Sequence, residues 1–472
     1  MVLGKYDVVV VGGGHNGLVA SIVLALHGAR VALVESRGEL GGLASDGVSL
    51  GVRYPRVAYS LGLFPRNLAK YIGVDLYLSA KLTNPSWVVV DGDSGETVFR
   101  WWVSEDALEE EFKEYGLGGE ARDLVSLLRS WSECSDLILY STEPPDLQGA
   151  SAMLENCSPF LGEIASQRFD NGLGMMVPRD LWGILTYPGL EREPGLATLL
   201  NLWNKGLWYQ LPKGWSPLMK RLEHRARELG VDIYLGVGTA RPDIKEGRVV
   251  GVTAVGGKLA IESKAVLYSA SLAAISNFLG DYIDLLDGLR LKELESAARS
   301  AVKPQRVTVV GRCEPKPPGG FNRNPPMIEV WGRGFWGEFA YPTLHDESRI
   351  PGSGHAVAFT GMAASRISDI LAYSGLECLD KVESIDSVVQ WIEFNNPSAH
   401  PNHLPYTGER ILNKRPVEGW SDYRVEEIEG LYHGSASSHP GGQVSGVPGH
   451  NAAIKVLKDL GVRPSSPLAR TS

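Results

Sequence analysis

Three glycines near the amino terminus have the spacing of a turn that binds phosphate. Gly12, Gly14 and Gly17 follow the apolar run from Val8 to Val11, and a second apolar run ends at Glu35. This order predicts a strand, a tight turn, a helix and a second strand ending in an acid, which form a dinucleotide-binding unit. Gly12 permits the tight turn, Gly14 lets the backbone approach a pyrophosphate, and Gly17 lets the helix pack closely on the strand. The helix N-terminus offers N–H groups to the phosphates, and Glu35 can accept hydrogen bonds from a ribose.

A second glycine pair favours FAD over a nicotinamide cofactor. Gly41 and Gly42 follow Glu35 after an interval of five residues. A nicotinamide site does not need this second cluster, whereas FAD lies extended and its pyrophosphate meets a second closely packed backbone. The segment therefore predicts an FAD site, and a surface turn is the alternative interpretation.

The carboxy-terminal region contains another glycine-rich turn. The sequence predicts a strand over 430–434, a polar and glycine-rich segment extending to Gly449, and a helix over 452–460. This arrangement again presents backbone N–H groups to a ligand. We therefore expect both ends of the chain to contribute to one binding site.

The composition is that of an ordinary globular protein. The chain has 472 residues, a hydrophobic content of 43%, a charged content of 21% and a formal charge of −9. The negative charge argues against a nucleic-acid partner. We expect no secretory leader before the first strand, and no apolar stretch approaches the roughly 20 residues that span a bilayer. Peripheral membrane contact and the oligomeric state stay open.

The four cysteines are far apart in the sequence. Cys134, Cys157, Cys313 and Cys378 form no C-x-x-C pair, which excludes flavin-linked dithiol chemistry. We expect them to be reduced thiols in a cytoplasmic protein. His400-x-x-His403 stands in a predicted loop, and we predict no metal site there or elsewhere.

The remaining pattern predicts an α/β protein with a discontinuous nucleotide domain. Helical spacing extends over 108–115, 121–140 and 216–229, and strand patterns over 231–235, 248–254, 258–261 and 265–268. The region 275–405 is predicted to be mostly irregular, with strands at 307–312 and 356–359 suggesting a second, mixed sheet. The predicted FAD-binding domain comprises 1–75, 205–275 and 405–472, and the predicted substrate-binding domain comprises 76–204 and 276–404.

Three motifs together carry a family resemblance. They are GGGHNGLVA, Glu35 with Gly41-Gly42, and LYHGSASSHPGGQVSGVPGHNAA. The chain resembles the phytoene desaturase-type FAD-dependent oxidoreductases, in a superfamily that includes amine oxidases, and within these the branch of pyridine nucleotide-disulfide oxidoreductase domain-containing protein 2. The resemblance covers residues 1–65, 205–275 and 425–460. It implies a Rossmann-like FAD-binding domain with an inserted mixed α+β substrate domain.

The resemblance also implies a set of cofactor contacts. The expected FAD-binding residues are Gly12, Gly14, His15, Asn16, Gly17, Glu35, Arg37, Gly41, Gly42, Leu43, Thr239, Gly434, Ser435, Gly441, Gly442 and Val444. Two positions depart from the family pattern. Leu43 stands where desaturases commonly have arginine, which removes one phosphate cation. Gln443 replaces the third glycine of the carboxy-terminal turn, where its amide either hydrogen-bonds the flavin ring or tightens the turn.

The expected reaction is hydride removal from a small apolar or partly apolar organic substrate to flavin N5, with the flavin supplying the chemistry. His439 is the candidate acid/base group, and the alternative is a histidine that bonds the turn backbone. Arg56 has two interpretations. It either neutralises the charge of a reduced flavin or of a substrate carboxylate, or it is a solvent-exposed charge without a role in the site. The tryptophans, twelve in all, either line an apolar pocket or fill a core.

Two rival functions share this fold. One is a flavin amine or amino-acid oxidase. The other is a regulatory protein that binds an isoprenoid or a protein partner without turnover.

Overall fold

A computed structural model describes residues 2–186, 189–255, 259–300, 305–321, 323–332, 335–349, 352–361, 367–385, 394, 400 and 402–465. The strands are β1 (Val2–Val11), β2 (Val31–Val34), β3 (Asp46–Ser49), β4 (Val52–Pro55), β5 (Ser60–Leu61), β6 (Trp87–Asp91), β7 (Thr97–Trp101), β8 (Tyr209–Gln210), β9 (Asp232–Tyr234), β10 (Ala240–Lys245), β11 (Arg248–Ala254), β12 (Ala260–Tyr268), β13 (Gln305–Gly311), β14 (Met327–Gly332), β15 (Phe335–Ala340), β16 (His355–Gly361), β17 (Leu379–Ile385) and β18 (Leu431–His433).

The α-helices are α1 (His15–Leu26), α2 (Arg66–Ile72), α3 (Glu105–Glu114), α4 (Glu120–Cys134), α5 (Asp136–Leu139), α6 (Leu147–Cys157), α7 (Pro159–Ser166), α8 (Gly195–Leu199), α9 (Ser216–Glu228), α10 (Ile275–Leu279), α11 (Gly288–Ser300), α12 (Ile367–Ser374) and α13 (Val447–Asp459). Short 3-10 helices occur at Tyr77–Ser79, Phe169–Asn171, Leu173–Met176, Arg179–Ile184, Leu272–Ala274, Gly280–Leu285, Pro318–Gly320, Pro342–His345 and Leu412–Lys414.

The first sheet has the strand order β10-β11-β12-β1-β2-β9, and β18 pairs with the end of β12. Strands β18, β12, β1, β2 and β9 are parallel to one another, whereas β10 and β11 form an antiparallel ribbon that pairs with β12 in the antiparallel direction. The apolar run at the end of β1 follows from burial on both faces, since Val8 and Val10 pack with α1 while Val9 and Val11 pack with β11 and α10. This is the α/β, Rossmann-like architecture that the sequence predicts.

The amino- and carboxy-terminal helices pack against each other on this sheet. A Cβ atom at Gly449 of α13 would lie 2.0 Å from the carbonyl oxygen of Asn16 in α1, so the two helix backbones are in direct contact. A larger residue at position 449 cannot fit without moving a backbone, which explains the glycine at this point of α13.

The second sheet has the order β17-β13-β16-β15-β14-β6-β7. Its pairs are antiparallel, except that β14 and β6 are parallel. The prediction that 275–405 is mostly irregular is therefore wrong, since five of these strands lie there. Two of the five, β13 and β16, coincide with the strands predicted at 307–312 and 356–359. The sequence analysis missed β14 and β15, where the buried acids Glu329 and Glu338 interrupt the apolar pattern.

Two further boundaries differ from the sequence predictions. The strands predicted at 258–261 and 265–268 form a single strand, β12, in which the exposed residues Glu262 and Lys264 interrupt the apolar pattern. The helix predicted over 121–140 is two helices, α4 and α5, that meet at Ser135. The strands of the first sheet and those of the second fall in the two sets of segments proposed above as separate domains, and that division stays a prediction.

The expectation of four reduced cysteines is wrong. Cys134 is bonded to Cys157, and Cys313 is bonded to Cys378, over sequence separations of 23 and 65 residues. The sequence gives no close pair because the fold brings these residues together from different elements. Within the described residues, no helix has the length and apolar character needed to cross a membrane.

We predict that an unfolded, unreduced sample exposes no thiol and that a reduced one exposes four, the number of cysteines in the chain. Reduction should lower the free energy of unfolding by about 3–5 kcal/mol per bond, because each disulfide restricts the unfolded chain. Thiol titration in denaturant and urea unfolding with and without reductant measure this. A thiol signal before reduction would contradict the pairing.

Candidate cofactor site

The turn between β1 and α1 contains glycines that serve two different purposes. Gly12 has a φ of +107°. A Cβ atom at Gly17 would lie 1.9 Å from the carbonyl oxygen of Gly12, so this glycine is required by the helix–strand contact. At Gly14 the nearest protein atom to such a Cβ is the Cα of Gly42, 4.0 Å away. Protein packing therefore does not demand the glycine at 14, and the space beside it belongs to a cavity.

The two amino-terminal glycine clusters form one continuous backbone surface. Gly14 and Gly41 pair as an isolated parallel bridge, and the N–H of Gly41 donates to the carbonyl oxygen of Gly13 at 2.9 Å. Gly41 and Gly42 have φ values of +122° and +57°, which L-residues with side chains rarely adopt. The glycine pair thus lies directly beside the first turn.

The Glu35 carboxylate holds the glycine turn between β1 and α1 through hydrogen bonds to the backbone. One carboxylate oxygen, Oε2, accepts the N–H of Gly13 at 2.7 Å, and the other accepts the N–H of Arg37 at 2.9 Å. The sequence analysis missed Gly13, where a Cβ would meet Leu40 at 2.4 Å. The sequence does mark Gly13, because it is the middle glycine of three in a row. Glu35 also lines the cavity, so its bonds to the backbone add to the expected ribose contact.

The carboxy-terminal turn connects β18 to α13. Gly434 donates its N–H to the carbonyl of Tyr268 at 2.9 Å, and a Cβ there would lie 2.7 Å from the Cβ of Ala452. Ser435 is buried and its Oγ accepts the N–H of Ser437 at 3.1 Å. These two predicted contact residues hold the turn in shape and do not line the cavity. Ala436 after them does.

A buried arginine that the sequence analysis missed anchors this turn. The Arg415 side chain is fully buried and donates to six backbone carbonyl oxygens, those of Asn402, Leu404, Pro405, Arg410, Ala436 and Ser438. Its guanidinium lies 4.8 Å from the ring centroid of Tyr406, whose hydroxyl donates to the carbonyl of Pro440 at 2.9 Å. Burial lowers the pKa of Arg415 to about 10, so it stays charged at neutral pH. Its hydrogen bonds connect the segment 402–410 to the carboxy-terminal turn.

One cavity of about 650 Å³ joins the two terminal turns. It opens at the carboxyl ends of β1, β2 and β12, which is where parallel sheets of this class bind ligands. Of the sequence-predicted contacts, those that line it are Gly12, Gly14, His15, Asn16, Glu35, Arg37, Gly42, Leu43, Thr239 and Val444. Those that do not are Gly17, Gly41, Gly434, Ser435, Gly441 and Gly442. Gln443 also lines it, together with Arg306 of the second sheet and His403.

Several polar atoms of the cavity wall lack a partner within the described part of the chain. They are His15 Nε2, Asn16 Oδ1, Tyr268 OH, Ser271 Oγ, Arg306 Nε and His403 Nδ1. Buried polar atoms are nearly always hydrogen-bonded in native proteins, so these atoms fit a long polar ligand. Burial lowers the pKa of His15 to about 4 and that of His403 to about 3, so both imidazoles are neutral at neutral pH. The backbone of His403 has a φ of +61°, which lies in the left-handed region that residues with side chains rarely adopt.

His439 does not line the cavity. Its Nε2–H donates to the carbonyl oxygen of Ile138 in α5 at 2.8 Å, and burial lowers its pKa to about 4. The ring therefore has a structural contact, although with a helix and not with its own turn. Neither does Arg56 line the cavity, and the arginines that do are Arg37, Arg241 and Arg306.

The tryptophans considered for a substrate pocket lie mainly in the core. Trp87 and Trp101 are stacked with ring centroids 5.0 Å apart and are almost fully buried. Trp203 is also buried, and its Cη2 lies 3.4 Å from where a Cβ of Gly442 would stand. No tryptophan lines the cofactor cavity among the described residues.

Two buried acids stand opposite each other on the second sheet. Glu329 of β14 and Glu338 of β15 are cross-strand partners, with exposed fractions of 9% and 6%. Burial and the neighbouring carboxyl raise the pKa of Glu329 well above its usual value, and burial also raises the pKa of Glu338. Two carboxyl groups this close cannot both ionise easily, so the pair holds a proton at neutral pH.

This pair gives a pH-dependent stability. Because its folded pKa values lie above the unfolded value of 4.5, the folded state binds more protons, and the free energy of unfolding falls as pH rises from 4.5 through the raised values. We predict that Glu329→Gln gains stability relative to the parent between pH 5 and 8, by about 1.4 kcal/mol for each unit of raised pKa. Urea unfolding across this range measures it, with Glu111→Gln as the control at a buried acid without a carboxyl partner. A parent and variant that differ equally at all pH values would refute it.

Comparison with known proteins agrees with this geometry. Residues 7–109 match the model of the family described as FAD dependent oxidoreductase. The chain is 23% identical to the Rattus norvegicus protein named pyridine nucleotide-disulfide oxidoreductase domain-containing protein 2, over 97% of this chain and 94% of that one. A putrescine oxidase variant has a TM-score of 0.60 at 15% identity, covering 97% of this chain and 99% of its own. Cyclohexylamine oxidase from Brevibacterium oxydans IH-35A has a TM-score of 0.58 at 15% identity, covering 97% and 100%.

The family match over residues 7–109 and the two solved structures of similar fold agree with an FAD-dependent oxidoreductase. They confirm the resemblance drawn from the glycine motifs, and they confirm FAD as the cofactor. The similarity to the rat protein extends over 97% of this chain.

Proposed function

We propose that the protein removes a hydride from an apolar or partly apolar organic substrate, with bound FAD as the hydride acceptor. The observation that carries this proposal is the single cavity joining the amino- and carboxy-terminal turns, whose wall holds unpartnered polar atoms. A phytoene dehydrogenase-like reaction is the specific form that the motifs favour.

We further propose how the chain holds the cofactor. The backbone at Gly12, Gly14 and Gly42 receives the pyrophosphate, because no Cβ atom occupies the space there. Glu35, Arg37 and Thr239 take the adenosine end, and Val444 lies at the flavin end. Gln443 contacts His15 through its backbone, a contact that a glycine at this position could also make, and it lines the cavity.

A flavin amine oxidase is the second candidate. Two solved structures of similar fold are named putrescine oxidase and cyclohexylamine oxidase. Their identity to this chain, 15%, supports a shared fold and leaves the substrate to experiment.

The experiment is anaerobic reduction of the purified holoprotein with a mixed metabolite extract and, separately, a panel of amines. Bleaching of the flavin band by the apolar fraction, with a product lighter by two hydrogens, supports the proposal. Bleaching by amines alone, with hydrogen peroxide formed in air, supports the oxidase. A protein that holds FAD and is bleached by neither behaves as the regulatory carrier and overturns the proposal.

A cytoplasmic location and the absence of nucleic-acid partners stay predictions. The two disulfides speak against a reducing compartment, where such bonds are rare. Thiol labelling of the protein in its native cells, before lysis, tests the location.

A further inference from the structure

A row of polar residues crosses four neighbouring strands of the second sheet. Arg306 of β13 is paired in register with Thr360 of β16, Thr360 with Glu338 of β15, and Glu338 with Glu329 of β14. All four side chains are buried. Their alternate neighbours Val307, Ile328, Phe339 and Phe359 pack in an apolar cluster on the opposite face. A buried polar row of this kind is costly for a sheet unless its groups are hydrogen-bonded and its charges are paired.

The two acids at one end of the row are held by donors on several elements. The Tyr59 hydroxyl donates to Glu338, and the Trp331 indole donates to Glu329 at 2.9 Å. The Trp336 indole also faces Glu329. Tyr59 and Arg306 are the titratable or charged groups that act on the acids from neighbouring elements of the described chain. With one shared proton the pair carries a charge of −1, which balances Arg306.

Arg306 connects this pair to the cofactor cavity. It has an exposed fraction of 7%, donates from Nη1 to the Thr360 hydroxyl, and lies 4.9 Å from the ring centroid of Tyr59. It lines the cavity, and its Nε has no partner in the described residues. Its positive charge lowers the pKa of Glu338. The same cation therefore acts on the cavity and on the acids.

We propose that this row is a proton store that balances negative charge arriving in the cofactor cavity. The acid pair holds one proton in the resting protein and takes a second from hydronium in the solvent, which leaves a water molecule, when an anionic group is placed beside Arg306. One carboxylate oxygen gains an O–H bond, and no electrons move within the row. The proposal rests on the proposed function only in that a bound FAD is the group whose charge changes.

The coupling follows from simple electrostatics. In the resting protein the charge of Arg306 opposes a second proton on Glu338. A negative charge in the cavity offsets that cation, and in a buried site the effect is transmitted with little screening. The coupling is reciprocal, so a second proton on the pair also favours the negative charge in the cavity. Arg306 and the two acids are thus positioning residues that set the charge of the site.

The test is the pH dependence of the flavin reduction potential in the holoprotein. The potential is measured by chemical reduction against a reference dye between pH 6 and 9, for the parent, Glu329→Gln and Glu338→Gln. We expect the parent to take up one more proton per electron pair than Glu338→Gln, which lacks the carboxylate that receives the second proton. Glu329→Gln should follow the parent, because its neutral amide replaces the carboxyl that already holds the resting proton. Glu111→Gln, a buried acid that also accepts an indole N–H, at 2.8 Å, is the control and should follow the parent. Equal proton uptake in the parent and Glu338→Gln overturns the proposal.

A second measurement does not depend on the variants folding. The reduced-minus-oxidised infrared spectrum of the parent should gain a protonated-carboxyl band that shifts on ¹³C-glutamate labelling, and its absence overturns the proposal. Neither measurement uses a substrate. A protein that no substrate bleaches therefore fails the proposed function and still answers this test, while turnover with unchanged proton uptake removes the proton store alone.

Discussion

Gly17→Ala should strongly destabilise the amino-terminal unit, whereas Gly14→Ala should fold normally and bind FAD more weakly. At position 17 the new Cβ would stand 1.9 Å from the Gly12 carbonyl oxygen and 3.3 Å from the Ser269 hydroxyl, so backbone must move. At position 14 the φ of −70° and ψ of 174° suit alanine, and the nearest protein atom is 4.0 Å away. The methyl group would instead occupy the space proposed for the pyrophosphate.

The two variants separate packing from cofactor binding. We expect Gly17→Ala to lower the free energy of unfolding by at least about 3 kcal/mol, at the upper end of overpacking effects. Gly14→Ala apoprotein should lie within about 0.5 kcal/mol of the parent. Its FAD affinity should fall at least about tenfold, which corresponds to about 1.4 kcal/mol. Urea unfolding and FAD titration of the apoprotein measure both quantities.

The matched control is Gly38→Ala. No atom lies within 4 Å of a Cβ at this position, which is in the segment between Glu35 and the glycine pair. It should change neither stability nor affinity. A Gly14→Ala protein with parental FAD affinity would remove the proposed pyrophosphate position.

The second large effect is expected at Arg415. Arg415→Met should lower the free energy of unfolding by about 4 kcal/mol or more, because six carbonyl oxygens lose their donor in a buried place. The carboxy-terminal turn should loosen, and FAD should be lost on gel filtration. Arg415→Lys should recover only part of the stability, since lysine offers fewer donors in a less rigid arrangement.

Arg424→Met is the control for this series. Arg424 pairs with Asp422 two residues away, and its side chain is 51% exposed, so its loss should cost less than about 1 kcal/mol. Urea unfolding and the ratio of flavin to protein absorbance are measured for all three variants. If Arg415→Met unfolds like Arg424→Met, the turn does not depend on this cation.

The amino-terminal unit could be predicted because its information is local. Gly12, Gly17 and Glu35 lie within one strand–helix–strand segment, and the spacing alone fixes their geometry. The first sheet followed from apolar runs in β1, β2 and β11. The same locality explains why the cofactor class was visible from the motifs.

The rest of the site depends on contacts that spacing does not encode. Arg306 reaches the cavity from the second sheet, and Arg415 anchors the turn from about twenty residues upstream. His439 was chosen for its ordinary pKa and its place in the motif, and only the fold shows that it faces Ile138. The prediction of reduced cysteines failed for the same reason, since Cys313 and Cys378 meet through strand pairing and not through proximity in sequence.

The parallel sheet takes its β18 strand from residues 431–433, and α13 then closes onto the backbone of α1. During synthesis the ribosome must release almost the whole polypeptide before the amino-terminal half of the flavin pocket meets its other half. A premature stop before β18 would leave the edge of β12 open and recruit chaperones, with no partial flavoprotein formed. Supplying the missing carboxy-terminal peptide in trans is the natural means of rescuing such a truncated chain.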